Sequence, residues 1–153
     1  GECGVSLSAP TANRVEIAAS ELPMVSFTDA VKLGFRNYFR FSGRSTRAEF
    51  WWWALFTFGG AIMLAVVDVA TGTWGKFGDS GMLGTLFELV ILIPSFALGA
   101  RRLHDINRTG WWQLLYLVFL FGWIVLFVWE IRRGDEGPNR YGADPRQATS
   151  GPA

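Results

Sequence analysis

Three long apolar runs divide this chain, at residues 50–70, 82–100 and 111–129, and the charged residues fall between them. The first run carries one charge, Asp68, near its end; the second contains Glu88 and Pro94; the third is uncharged. At 1.5 Å per residue, a run of about 20 residues reaches across the roughly 30 Å hydrocarbon core of a bilayer. The pattern therefore predicts three transmembrane helices. Three buried helices of a soluble domain would need polar helices to cover them, and the sequence offers none.

Ahead of the first run, Phe27, Val31, Phe35 and Tyr38 recur at helical spacing, with Lys32, Arg36 and Arg40 on a neighbouring face. An aromatic stripe beside a basic one predicts an amphipathic helix over about 27–40 lying in the membrane surface. A helix packed on protein is the alternative. Ser42-Gly43 ends it. Thr46 and Glu49 then have the spacing of a capping box, in which the hydroxyl accepts from an amide at N3 and the carboxylate reaches back to the cap amide. A helix accordingly starts at Thr46 and continues into Trp51-Trp52-Trp53. After the third run, residues 134–145 are dense in turn formers and predict ordered loops.

Residues 1–25 show no period of 2 or 3.6 and read as a mostly disordered extension, with a little helix near 15–20. They also lack the apolar stretch of a cleavable signal peptide. Residues 146–153 read as a disordered tail. The membrane domain is thus 26–145, and the fold class is an all-α integral membrane protein: an interfacial helix, three spans and a loop-rich C-terminal tail.

Composition sharpens this picture. Half the 153 residues are hydrophobic and 18% are charged, against about 25% in an average soluble domain. Trp51, Trp52, Trp53, Trp74, Trp111, Trp112 and Trp129 stand at or just beyond the ends of runs, where aromatic belts form. A net charge of +1 supplies no field to attract nucleic acid. The single Cys3 cannot form an internal disulfide or a cysteine zinc site.

With three spans, one side holds Arg14, Lys32, Arg36, Arg40, Arg44, Arg47, Arg101, Arg102 and Arg108. The other holds Lys76, Arg132, Arg133, Arg140 and Arg146. The excess predicts a cytoplasmic N-terminus and an external C-terminus. A re-entrant third run would bring the tail back inside.

Three blocks carry a family resemblance. They are Phe41-Ser42-Gly43-Arg44 with Arg47-x-Glu49-Phe50-Trp51; Arg101-Arg102-Leu103-His104-Asp105 with Arg108-x-Gly110-Trp111-Trp112; and Gly137-x-Asn139-Arg140-Tyr141-Gly142-x-Asp144-Pro145. In this order, with Pro94 shortly before the Arg-Arg pair, they resemble the small bacterial inner-membrane family catalogued as domain of unknown function 805. The likeness covers about 29–146. Asn107 stands where that family more usually has Gly, and Thr109 where it has Ser. The resemblance implies a multi-pass protein of the bacterial inner membrane and brings no established activity.

The 101–110 connector is the first candidate site. Arg101, Arg102 and Arg108, with Arg44 and Arg47 approaching from the other cytoplasmic segment, could hold lipid phosphate. His104 and Asp105 would complete the site. Alternatively, these residues only set topology and cap helix ends. One His beside one Asp is too sparse for a metal, and no nucleophile stands at a recognisable spacing. The sequence therefore implies neither cofactor nor enzyme.

Glu88 is the second candidate, about 9 Å into its span. Gly84, Glu88, Ser95, Gly99 and Arg102 share a face, and Ala54, Ala61, Ala65 and Asp68 form a comparable one. Asp68 and Glu88 could together hold a proton or a cation; a neutral Glu88, or one paired with Arg132 or Arg133, is the structural alternative. The preferred reading is a non-enzymatic membrane component engaging anionic lipid head groups or partner helices. The alternative is a small transporter or channel subunit, which would have to form a homo-oligomer, because three short spans cannot enclose a path.

Overall fold

Ser26 opens the first helix by accepting from the Asp29 amide at 3.2 Å, and Asp29 returns a carboxylate to the Ser26 hydroxyl at 2.6 Å. This helix, α1 (Phe27–Arg36), is shorter than predicted: Asn37 caps it by donating twice to the Leu33 carbonyl. The computed structural model describes residues 25–76 and 81–148. The extension over 1–24, with its predicted short helix, lies outside them, as do 149–153.

Thr46 caps α2 (Arg47–Ala70), accepting from the Glu49 amide at 3.1 Å. The capping residue and the start are as predicted, but the Glu49 carboxylate does not turn back to the cap. It meets Arg101 at 3.0 Å instead. α3 (Met82–Asp105) runs antiparallel to α2: Arg101 lies by Glu49, Gly60 against the Phe87 ring, and Gly84 by Asp68. Each helix has 24 residues, about 36 Å at 1.5 Å per residue, long enough to cross a bilayer.

α3 outlasts its predicted end. The Arg101–Asp105 stretch, read from sequence as a connector, forms its last turn. The helix stops at Asn107, which adopts φ +58°, while the Arg108 amide bonds to the Leu103 carbonyl and the Asn107 amide to that of His104. This left-handed C-terminal cap favours glycine or asparagine, which explains Asn107 here.

The third apolar run departs furthest from expectation. It is not one span. A 3₁₀ helix (Gly110–Leu117) is followed by a reversal at Leu120 and then by α4 (Phe121–Ile131). With 11 residues, α4 is about 17 Å long, too short to cross. The two pieces fold on each other: Trp123 Nε1 donates to the Tyr116 carbonyl at 3.0 Å, and Trp112 meets Trp129 edge to face. At Gly122 a Cβ would collide with the Leu115 carbonyl, so the close turn requires glycine there. Both ends of this hairpin therefore lie at the Asp105 end of α3.

The tail adds a tight turn in which Asn139 and Gly142 exchange amide bonds, and a one-turn helix, α5 (Pro145–Ala148), where disorder was expected after Pro145. α1 packs its aromatic stripe on α2, with Phe27 on Trp52 and Phe35 on Trp53 and Phe56. Gly34 lies so close to the Trp53 indole that a Cβ would strike it. Buried Leu103, Ile106 and Leu126, with Leu115 and Trp129 against them, form a core under the hairpin.

Candidate functional site

The three sequence blocks converge at the last turn of α3. Arg102 and Asp105 are three residues apart and so share a face; Arg102 Nη1 meets Asp105 Oδ2 at 2.7 Å. Arg44 arrives from the loop after α1 and places Nε at 3.0 Å and Nη2 at 2.9 Å from the other carboxylate oxygen. Asp105 is thus held between two guanidiniums.

Each guanidinium also binds backbone from elsewhere. Arg44 donates to the Gly137 and Asp135 carbonyls, both at 2.5 Å. Arg102 donates to the Glu130 carbonyl through Nε and Nη2, and through Nη2 to that of Arg132. Arg47 Nη1 reaches the Ile131 carbonyl at 3.0 Å. The last carbonyls of α4 have no intrahelical donor, so Arg102 and Arg47 cap that helix from outside, where its dipole favours cations. The Asp135 amide closes the cluster on the Asp105 carbonyl at 2.8 Å, and Gly134 leaves room for this because a Cβ would overlap the carboxylate.

Arg101 points to the opposite side and joins Glu49. Its Nε and Nη2, and the neighbouring Ser45 hydroxyl, are buried without a protein partner. Arg102 is fully buried, while Arg44, Arg101, Asp105, Glu49 and Glu130 are each at most 8% exposed. Removing one member of such a buried pair typically costs about 3–5 kcal/mol, because the other charge is left uncompensated. These cations were expected at the surface beside lipid phosphate. Arg44, Arg101 and Arg102 point into protein instead.

His104 is half-buried beside them. Its Nδ1 lies 3.0 Å from the Gly43 carbonyl, which can only accept, so Nδ1 carries the proton and Nε2 is left for other contacts. Tyr141 stacks on the ring at 3.9 Å between centroids and 5° between planes. Asn139 holds that tyrosine in place: its Nδ2 donates to the His104 carbonyl at 2.9 Å and its Oδ1 accepts from the Tyr141 amide. Asp144 braces the tail by accepting from Arg146 and from the Gly137 amide, and the Arg146 guanidinium holds its carboxyl down at about 2. Arg108 is half-buried, its guanidinium 4.1 Å from the Trp129 ring centre.

The two acids proposed from sequence stand in different surroundings. Asp68 is fully buried and accepts from the Thr73 hydroxyl at 2.5 Å and from the Leu83 and Gly84 amides at 3.1 and 2.9 Å. It supplies the N-terminal cap that Gly81 cannot give α3. Glu88 is exposed, on a groove shared with Thr57, Ser95 and Gln113. Among the described residues, no three His, Cys, Asp or Glu side chains gather as metal ligands.

Asn139, Tyr141, Glu130 and Tyr38 were not singled out from sequence as site residues. The third block already contained Asn139 and Tyr141; what it did not reveal was that they dock on His104.

A family model described as "Protein of unknown function (DUF805)" matches residues 38–143. Inner membrane protein YhaH of Escherichia coli K12 is 36% identical over 111 residues, covering 72% of this chain and 91% of YhaH. Inner membrane protein YhaI of the same organism is 41% identical over 111 residues, covering 72% of this chain and 90% of YhaI. No solved structure matches.

Proposed function

The chain belongs to the family described as a protein of unknown function, DUF805, and on that premise we propose that it is a non-enzymatic component of the bacterial inner membrane which engages anionic lipid head groups at its arginine-rich end. One observation carries this. Every described Lys and Arg except Lys76 belongs to α1 and the loop after it, to the start of α2, to the end of α3 and the loop after it, or to the segments after α4. The buried arginines serve the fold. Lys32, Arg36, Arg40, Arg47, Arg132, Arg133 and Arg140 are exposed, and each cation near an anionic surface attracts it by about 1 kcal/mol.

In this reading α1 lies at the same membrane surface, and the outward aliphatic faces of α2 and α3 meet lipid or another helix. The alternative, a transport subunit built on Glu88 with Asp68, is weakened because Asp68 is occupied as a helix cap. Native mass spectrometry of the protein released from membranes tests both. Retained anionic lipid that falls when Arg47, Arg132 and Arg133 are changed together to Gln supports the proposal. Equal retention of zwitterionic lipid by wild type overturns it, and a stable oligomer without selective lipid moves the case towards Glu88.

A further inference from the structure

A cavity of about 700 Å³ opens beside His104, between α3 and the 3₁₀ helix, within the roughly 300–1,000 Å³ range of small-molecule sites. Its wall is mainly apolar, with Phe41, Phe96, Leu114 and Leu117 prominent. Two of its polar side chains are turned to other work: Gln113 donates to the Phe96 carbonyl and Tyr116 to Glu130. His104 Nε2 lies 3.6 Å from where a Cβ on Gly110 would stand, so it faces the cavity.

Two arginines neighbour residues of the wall. Arg140 precedes the lining residue Tyr141, covers its ring at 4.8 Å and is anchored on the Asn107 carbonyl at 2.8 Å. Arg40 precedes the lining residue Phe41, and its Nη2 passes 3.9 Å from where a Cβ on Gly43 would stand. Gly43 is the residue whose carbonyl holds His104. No carboxylate is among the residues that line the cavity. An apolar chamber within a membrane protein, with the Arg140 guanidinium on the ring of a wall residue and exposed Arg40 next in the chain to another, has the charge and polarity of a phospholipid turned over.

We propose that this cavity is a binding site for one anionic phospholipid of the surrounding membrane, its phosphate held by Arg40 and Arg140 and an acyl chain lying against Phe96, Leu114 and Leu117. His104 Nε2 accepts from a head-group hydroxyl of the phosphatidylglycerol kind. The site rests on the head-group reading above and narrows it to one place and one stoichiometry.

The test is titration of phosphatidylglycerol and phosphatidylcholine into the delipidated full-length protein, followed by native mass spectrometry. Wild type is expected to take up one phosphatidylglycerol well ahead of further copies. Arg40→Gln with Arg140→Gln weakens that first binding about tenfold or more, given two lost surface charges. Leu117→Trp, at a residue 82% exposed and so safe for folding, fills the chamber and weakens it too. Loss of the first copy with the Arg47, Arg132 and Arg133 variant, but not with these, overturns the cavity while sparing the general reading. Equal uptake of phosphatidylcholine overturns both.

Discussion

Pro94 lies inside α3 and has no amide hydrogen, so the carbonyl of Val90, four residues earlier, receives no donor from its own helix. In an apolar span that acceptor has no water to turn to. Tyr38, from the turn after α1, donates its hydroxyl to Val90 at 2.5 Å. An aromatic residue in the first amphipathic stripe thus completes a helix 52 positions away. Tyr38→Phe leaves the carbonyl unsatisfied and is expected to cost about 1–3 kcal/mol. The mechanism makes a sharper statement than the magnitude. In a Pro94→Ala background residue 94 supplies its own amide, and Tyr38→Phe should then cost little. A double-mutant cycle read by thermal unfolding in detergent measures this coupling; additive effects would show that Tyr38 acts through packing alone.

The hairpin of the third apolar run is where an element's fate depends on a single backbone conformation. Leu120 has φ +65° and ψ −62°, and the Phe121 amide bonds to the Phe119 carbonyl at 2.9 Å. This is the strained, rarer form of the γ-turn, held by a residue with a Cβ, where such backbone costs on the order of 1–3 kcal/mol. Leu120→Gly should relieve part of that strain and raise stability by about 1 kcal/mol, seen as a later unfolding midpoint. A fall would mean that Leu120 is held by packing worth more than the strain. The sequence could not announce this turn. Along 111–129 every position is apolar or small except Gln113, so no polar residue marks where the chain reverses, and length alone argued for a span. Two predicted starts held: Thr46 caps α2 and Met82 begins α3. The arginine cluster was half legible. Its cations were visible as a group, but their partners were not, because Arg44 meets a carboxylate 61 residues away and carbonyls more than 90 away. No local spacing encodes such pairs.

At the scale of the molecule, the short hairpin changes the topology that charge alone suggested. A third span would carry Arg132, Arg133, Arg140 and Arg146 to the face opposite the N-terminal arginines. The observed hairpin returns them, because Arg102 holds the Glu130 and Arg132 carbonyls and Arg44 those of Asp135 and Gly137. These contacts tie the tail to the end of α3 that also binds the start of α2 through Arg101 and Glu49. Lys76, in the segment between α2 and α3, is then the one described cation at the far end. So lopsided a distribution predicts a cytoplasmic location for the whole arginine-rich end. The expected result is concrete. Alkaline phosphatase inserted after Lys76 should be active in cells, the same enzyme fused after Ala153 should be inactive, and a fluorescent protein fused there should fold and glow. An active C-terminal phosphatase would mean that residues 111–129 cross the bilayer in the cell. Arg44 and Arg102 could not then hold the tail carbonyls, and their buried charges would need other partners.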